Sequence, residues 1–561
     1  MSRDRGIWLV GLSSLLAAAC SSSNATQPPL APCTAASGGR IALQATEYTA
    51  IDPAQTAGCA VFPANTTPST NEYLLVPQGA SGVPDDSASF QLRGAGLAAA
   101  PPLVAGAAGA TSVPVQLQFD RNLRRAEREL AAQFGRWLRP SAVAPARAAA
   151  PPVGDTRPFK VCGTLDCNTH PTVTATAKKV SAHVAIYVDS AALKSGDTLG
   201  TADLDALAAV FDTLLYPADT QAFGPETDVD HNGVVLVLMT GKVNSLVANP
   251  CTTGFVAGYF YGGDLLPPAS FPNGNYAEIF YSIVPDPNGT LSCPHTATGV
   301  NHSVPGTFIH EFQHMISWGR HVVNGNGFPE ELWLNEGLSH YAEELGSRLY
   351  VPADSTTFCY FIAGNLYNSG QYFTKPDSSF LVDTAGIGGL ANRGAYWLFV
   401  RYVVDQFSAD TSIPSNDAFT RTLEDPMRTG ATNLAHATAT SFSTLLGRWA
   451  LANYVSDLPG FTAPSQLQYA KWRFRSDYPT IANRCAVNAN FTGIPGAYPL
   501  TPNSSVGSAL NLSGMLRSGS GPYTIAQQPA GATGFTLLFS TGTGTALRTS
   551  LVPRLNVLRL Q

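Results

Sequence analysis

Residues 307–317 read TFIHEFQHMIS, and the spacing of their polar side chains decides what the rest of the chain must supply. On a helix, positions four apart lie one above the other. His310 and His314 therefore present two imidazoles on one side, with Glu311 beside them. Such a pair can hold one metal ion while the neighbouring carboxylate acts as base. Phe308, Phe312, Met315 and Ile316 surround the trio, as in a core helix, with Pro305 expected in its first turn and Gly319 at its end. Burying two histidines and a glutamate there without partners costs several kcal/mol. A shared metal satisfies all three.

Catalytic zinc takes three protein ligands and leaves a fourth position for water. Two residues compete for the third place. His321 would follow an H-E-x-x-H-x-x-G-x-x-H pattern, but Ser317 stands where that pattern has glycine and Arg320 where it has the last histidine. Glu336 lies in ELWLNEGLSHYAEEL (331–345), a second amphipathic helix after the turn NGNGFPE (324–330). The intervening chain is long enough to end one helix, reverse and return antiparallel, which brings Glu336 to the same metal.

Together the two segments resemble the gluzincin metallopeptidases, in which H-E-x-x-H is followed by N-E-x on the next helix. They are similar to the hyicolysin-like group in HEFQHM and in WLNEGLS with YAE after it. The resemblance covers about residues 159–465. It implies a thermolysin-like zincin domain of α+β class, a mixed sheet plus helices, with Zn2+ on His310, His314 and Glu336. Glu311 would polarise the water, and the reaction would be hydrolysis of a protein or peptide substrate.

Two positions depart from the pattern. Thermolysin-like members carry an acid four residues after the ligand glutamate, where this chain has His340; Glu343, on the same helical face, is the candidate to orient His310, or else a surface charge. Aminopeptidase-like members carry Y-x-K-G on a later helix, whereas ANRGAYWLFVRYVVDQF (391–407) has Ala391 there. Tyr396 and Tyr341 are the candidate oxyanion donors, or core aromatics. No G-x-M-E-N loop is present, which favours an endopeptidase.

Outward from these helices, HVAIYVD (183–189), GVVLVLMT (233–240) and NYAEIFYSIV (275–284) read as strands, and 201–217 as a helix. Further helices are expected at about 330–347, 394–408, 416–424 and 438–456. The catalytic domain is assigned to 159–500. Small β-sandwich-like domains are expected on either side, at 41–104 and 501–561. Residues 105–158 would form an amphipathic helix (120–138) and an Ala/Pro-rich linker (140–158).

ETDVDHNGVVLVL (226–238) contains Asp228, Asp230, Asn232 and Gly233, the first half of a calcium loop. Met239 stands where the bidentate glutamate belongs, so Ca2+ and a loop held by its own Asx hydrogen bonds are both open.

The N-terminus supplies the compartment. Arg3 and Arg5 precede the apolar run GIWLVGLSSLLAAA, which is too short to span a bilayer. Cys20 follows in LLAAACSSS, which resembles a bacterial lipobox and implies a signal peptide over 1–20, lipidation at Cys20 and a tether over 21–40. Localisation is then the bacterial envelope, the outer membrane being the expected face, or the exterior if ordinary cleavage follows Ala19. Setting Cys20 aside from the nine cysteines leaves an even set, for which neighbour pairing is expected: 33 with 59, 162 with 167, 251 with 293, 359 with 485.

Charged residues make up 13% of the 561, against about 25% in ordinary soluble proteins, and the net charge is -6. With no basic cluster interleaved with aromatics, nucleic acid is excluded as the expected partner. A monomer attached to the membrane only by its N-terminus is expected. The rival reading is a non-catalytic surface binding or adhesion lipoprotein that keeps a zincin scaffold, although such a protein would not need Glu311.

Overall fold

The computed structural model describes residues 28–94, 97, 113–134, 149–325, 327–350, 353–384, 389–409 and 418–561. The expected signal peptide, Cys20, residues 135–138 of the expected amphipathic helix and residues 140–148 of the linker lie outside the described residues.

In chain order, β1 (Tyr48–Ile51), β2 (Cys59–Phe62), β3 (Asn71–Gly79) and β4 (Ser87–Gly94) are followed by α1 (Val115–Phe134), then β5 (Thr156–Lys160), β6 (Thr172–Val180) and β7 (Val184–Asp189). Next come α2 (Ser190–Ser195), α3 (Thr201–Val210), α4 (Tyr216–Phe223), β8 (Val235–Met239), α5 (Gly241–Asn244), β9 (Gly258–Phe260) and β10 (Ile279–Ser282). The helical half holds α6 (Ala297–Trp318), α7 (Leu332–Arg348), α8 (Ser355–Thr374), α9 (Leu390–Phe407), α10 (Ala418–Leu423), α11 (Gly430–Thr438), α12 (Phe442–Val455) and α13 (Phe474–Ala489). The chain ends with β11 (Asn503–Val506), β12 (Asn511–Arg517), β13 (Thr524–Gln528), β14 (Phe535–Ser540) and β15 (Pro553–Arg559). The class is α+β, as expected.

A six-stranded sheet in the order β5-β6-β7-β8-β10-β9 forms the centre. Strands β7, β8 and β10 run parallel, and β9 closes the far side as an antiparallel edge. Every residue of VAIYVD, VLVLM and IFYS on those three parallel strands is buried, the continuous apolar pattern that a sheet covered on both faces requires. Helix α6 lies against β9 and β10 and carries the histidine motif; α7 packs on α6, and α8 and α9 pack on α7.

Two local expectations change. Pro305 sits inside α6 rather than in its first turn, because capping by Thr296, whose side chain accepts from Gly299 N–H, starts the helix earlier. Gly319 does not end the helical path, which continues as a wide turn over Gly319–Val323. Strands β5, β6 and β9 and helices α2, α5, α8, α11 and α13 were not anticipated by the periodicity.

The expectation of separate β-domains at 41–104 and 501–561 is corrected. Strands from both ends build one sandwich, with a five-stranded sheet β1-β15-β3-β13-β11 facing a four-stranded sheet β12-β4-β14-β2. In it β15 pairs antiparallel with both β1 and β3, and β4 with both β12 and β14. Either end alone would leave long strand edges open; their mutual pairing closes those ladders over one buried core that includes Leu75, Leu92, Leu537 and Val557.

The disulfides Cys33–Cys59, Cys162–Cys167, Cys251–Cys293 and Cys359–Cys485 follow the neighbour pairing expected. The last ties α8 to α13. Among the described residues no helix is long and apolar enough to cross a membrane.

Candidate metal centre

The centre is made where α6 crosses α7. His310 and His314 lie one turn apart on α6, and their Nε2 atoms come within 3.2 Å of each other. From α7, Glu336 Oε2 is 3.8 Å from His310 Nε2 and Oε1 is 3.7 Å from His314 Nε2. Ligands at ~2.0–2.1 Å on a tetrahedral zinc stand roughly 3.3 Å apart, so these separations fit one ion. A second observation supports the fit. Both Glu336 oxygens are buried and accept no hydrogen bond among the described residues, and only a cationic group, Arg393 Nη2 at 3.3 Å, stands near. Buried carboxylates without donors are costly; a metal would account for this one.

Each imidazole is gripped from behind. His310 Nδ1 is 2.7 Å from Glu343 Oε1, and His314 Nδ1 is 3.0 Å from Asn335 Oδ1. These bonds fix the rings with Nε2 toward the centre, the arrangement usual for metal-bound histidine. Ser339 Oγ lies 3.0 Å from His314 Nδ1 and donates to Gln313 Oε1. His310, His340 and Glu343 also form a group able to chelate, but there the glutamate already holds His310 from the Nδ1 side. The buried His310, His314 and Glu336 set is the convergent one.

The glycine after Glu336 explains how α9 reaches the site. A Cβ at Gly337 would stand 2.8 Å from Val400 Cγ2 and 3.0 Å from Tyr396 O, so its absence lets α7 and α9 approach closely. That contact delivers Arg393 to Glu336. Arg393 also pairs with Asp120 of α1. Burial works against ionising Glu336, but Arg393, His314 and His310 hold its carboxyl well below the usual range. Glu343 is likewise kept low, at about 2, by His340 and His310 despite its burial. For Glu311 burial dominates over His310 and lifts the carboxyl to about 7. Its Oε2 accepts from Phe260 N–H of β9 at 2.8 Å.

A cavity of ≈ 240 Å³ opens beside His310 and Glu311, walled by α6 (Ser303, Thr307), α8 (Tyr360, Phe361), β9 (Gly258) and α1 (Gln116, Asp120). Helix α1 covers the outer edge of the sheet. Gln116 Oε1 accepts from Ala257 N–H at 2.8 Å, Arg124 Nη2 donates to Phe260 O at 2.9 Å, and Glu127 Oε1 accepts from Gly262 N–H at 2.7 Å. The sequence marks this helix only as amphipathic and gives no sign that it walls the site.

The remaining candidates are placed elsewhere. Tyr396 donates its hydroxyl to Asp383, and Tyr341 packs under the Arg401 guanidinium at 5.1 Å; neither lines the cavity. His321 is buried 3.4 Å from Glu424 Oε2, apart from the other histidines. Asn335, Arg393 and Asp120 were missed. Asn335 could have been found from the N-E pair itself, since it precedes the ligand by one residue and faces the second histidine; Arg393 and Asp120 are distant in sequence and carry no local signal.

Asp228, Asp230 and Glu278 form another group able to hold a metal. Asn232 turns inward on its own loop, with Oδ1 accepting from Val234 N–H at 2.7 Å and Nδ2 donating to Asp230 Oδ2 at 2.6 Å.

No family model matches the chain. Over 221 residues it is 27% identical to the neutral metalloprotease ShpI of Staphylococcus hyicus, a stretch that is 39% of this chain and 44% of that protein. The chain thus spans less than half the length of this relative. The chain's chelating His and Glu groups together with this distant metalloprotease likeness support a metal-binding, hydrolase-type character.

Proposed function

We propose that the chain is a zinc-dependent endopeptidase of gluzincin type with a thermolysin-like catalytic unit. It would be exported and anchored to a bacterial envelope by lipid at Cys20. The observation that carries this reading is the meeting of two Nε2 atoms and an undonated carboxylate at 3.2–3.8 Å, with Glu311 adjoining.

His310, His314 and Glu336 would hold zinc, oriented by Glu343, Asn335 and Arg393. When bound, zinc supplies Lewis-acid polarisation of the scissile carbonyl and lowers the pKa of water toward ~7. Glu311, beside the ligand pair, would be placed to take a proton from that water and deliver it to the leaving amine. The hydrogen bond from Phe260 N–H fixes one of its oxygens and leaves the other to do this. A peptide would enter the cavity between α8 and α1, since side chains of α1 occupy the edge of β9. Gln116, Ser303, Thr307, Tyr360 and Arg393 carry the hydrogen-bond donors in that wall, whereas Tyr341 and Tyr396 do not line it.

The test is casein hydrolysis that a chelator abolishes and zinc restores. Glu311→Ala should lower turnover by ~10²–10⁴-fold while zinc content stays unchanged. If the parent and this variant were equally inert on a broad peptide library, the scaffold would belong to a binding protein.

A further inference from the structure

The loop before β8 and the residue before β10, Glu278, come together where these two strands begin. Leu236 N–H donates to Glu278 O at 2.7 Å, so the two segments start adjacent parallel strands. In the loop, Asp228 Oδ1 accepts from Gly233 N–H at 3.1 Å and Asp230 Oδ1 from Asn232 N–H at 3.2 Å. His231 and Gly233 take left-handed φ values of 57° and 72°, and on this turn Asp228 is exposed and Asp230 half-buried. These contacts order the loop but do not themselves call for a ligand.

Glu278 does. It is 2% exposed, and its Oε1 accepts from Thr227 Oγ1 at 2.5 Å and Val229 N–H at 2.9 Å. Its Oε2 is buried and has no partner. Glu278 and Asp228 face a cavity of ≈ 300 Å³ that Glu226, His183 and Tyr216 also line, and Glu226 Oε2 is a second buried oxygen without a donor. One oxygen from each of Asp228, Asp230 and Glu278 lies within 4.8 Å of the others. No lysine or arginine makes an ion pair with any of the three among the described residues.

We propose that Asp228, Asp230 and Glu278 form a calcium site in which Glu278, from the neighbouring strand, takes the place of the bidentate glutamate that the loop's own sequence lacks at Met239. The donors are all hard oxygens, which suits calcium with its 6–8 oxygens at ~2.3–2.6 Å and not zinc, which prefers nitrogen and sulfur. Backbone carbonyls and water complete such a shell, and the room beside Glu226 admits them. The ion would pin the starts of β8 and β10 together, so its effect is on stability. None of these three carboxylates belongs to the His310, His314 and Glu336 group.

The test is calorimetric titration of the full-length protein as purified with CaCl2, and with MgCl2 as comparator, after removal of contaminating calcium. One calcium per chain is expected, with magnesium at least tenfold weaker, and a rise in the unfolding midpoint on adding calcium. Glu278→Gln should weaken binding at least tenfold. Because Glu278 is buried and its variant can misfold, Asp230→Asn, in the loop, provides the second measurement and should weaken binding by a similar factor. Absence of calcium binding at 5-fold above ~10⁻³ M, the weak end for extracellular modules, would overturn the proposal. So would unchanged affinity in Asp230→Asn.

Discussion

The His310, His314 and Glu336 group rides on two long helices, whereas Asp228, Asp230 and Glu278 sit on a loop and the foot of a strand. On the helices the backbone satisfies itself, so side chains alone face the centre, and each imidazole is held from behind by a residue of α7. On the loop the aspartates spend part of their hydrogen-bonding capacity on their own backbone, and only Glu278 is deeply buried. The first group is therefore preorganised to bind a metal, with two nitrogen donors and the Glu311 carboxylate beside them. The second gathers hard oxygens where an ion would order the chain. On the proposed reading, one fold would separate a site that acts from a site that holds.

The sharpest way to break this separation is to remove a helical ligand. His314→Ala should lose bound zinc and lower peptidase turnover at least ~10³-fold, since neither the metal nor its polarising effect remains. Calcium titration of the same variant should be unchanged. Loss of both ions together would show that the two regions are one cooperative unit.

A smaller effect is expected behind the ligands. Glu343→Ala, which leaves His310 Nδ1 without its 2.7 Å partner, should weaken zinc binding by ~10–100-fold. Competition with a chromogenic chelator measures this directly. Unchanged affinity would mean that ring orientation is set by packing alone.

The smallest effect is a pH dependence at the oxygen site. Burial raises the Glu278 carboxyl to about 7, against an ordinary value of 4.5. The folded chain then keeps a proton that the unfolded chain releases. This contribution to stability is fully present below pH 4.5 and is lost as pH rises through 7. The groups facing it are Asp228, Asp230, Glu226, His183, Tyr216 and, acting on Asp230, Arg157. A cation competes with that proton, so the stabilisation by calcium should grow from pH 5 to pH 8. At a hundredfold excess over Kd it should approach ~2.7 kcal/mol. Thermal unfolding at the two pH values, with and without CaCl2, checks both slopes.

Much of the metal centre was legible because its parts are local. Four-residue spacing put His310 and His314 on one face, and a turn of plausible length returned Glu336 to them. The order of strands and helices around the motif could be read for the same reason, since helical and strand periodicities show within short windows. What escaped depends on contacts remote in sequence. Arg393 and Asp120 meet at Glu336 only after α9 and α1 have docked. Glu278 completes the loop's donor set only because β10 pairs with β8. The two terminal β-segments each had a legible strand pattern, yet nothing within either one indicated that β15 would lie between β1 and β3. Pro305 was misplaced because a proline favours a first turn, while the cap at Thr296 started α6 sooner.

The most direct test of the central claim is an X-ray absorption spectrum at the zinc edge of the purified full-length protein. The account predicts one zinc per chain with two imidazole nitrogens and oxygen neighbours, all at about 2.0–2.2 Å. A shell containing sulfur, a shell of oxygen alone, or a chain that takes up no zinc would contradict it.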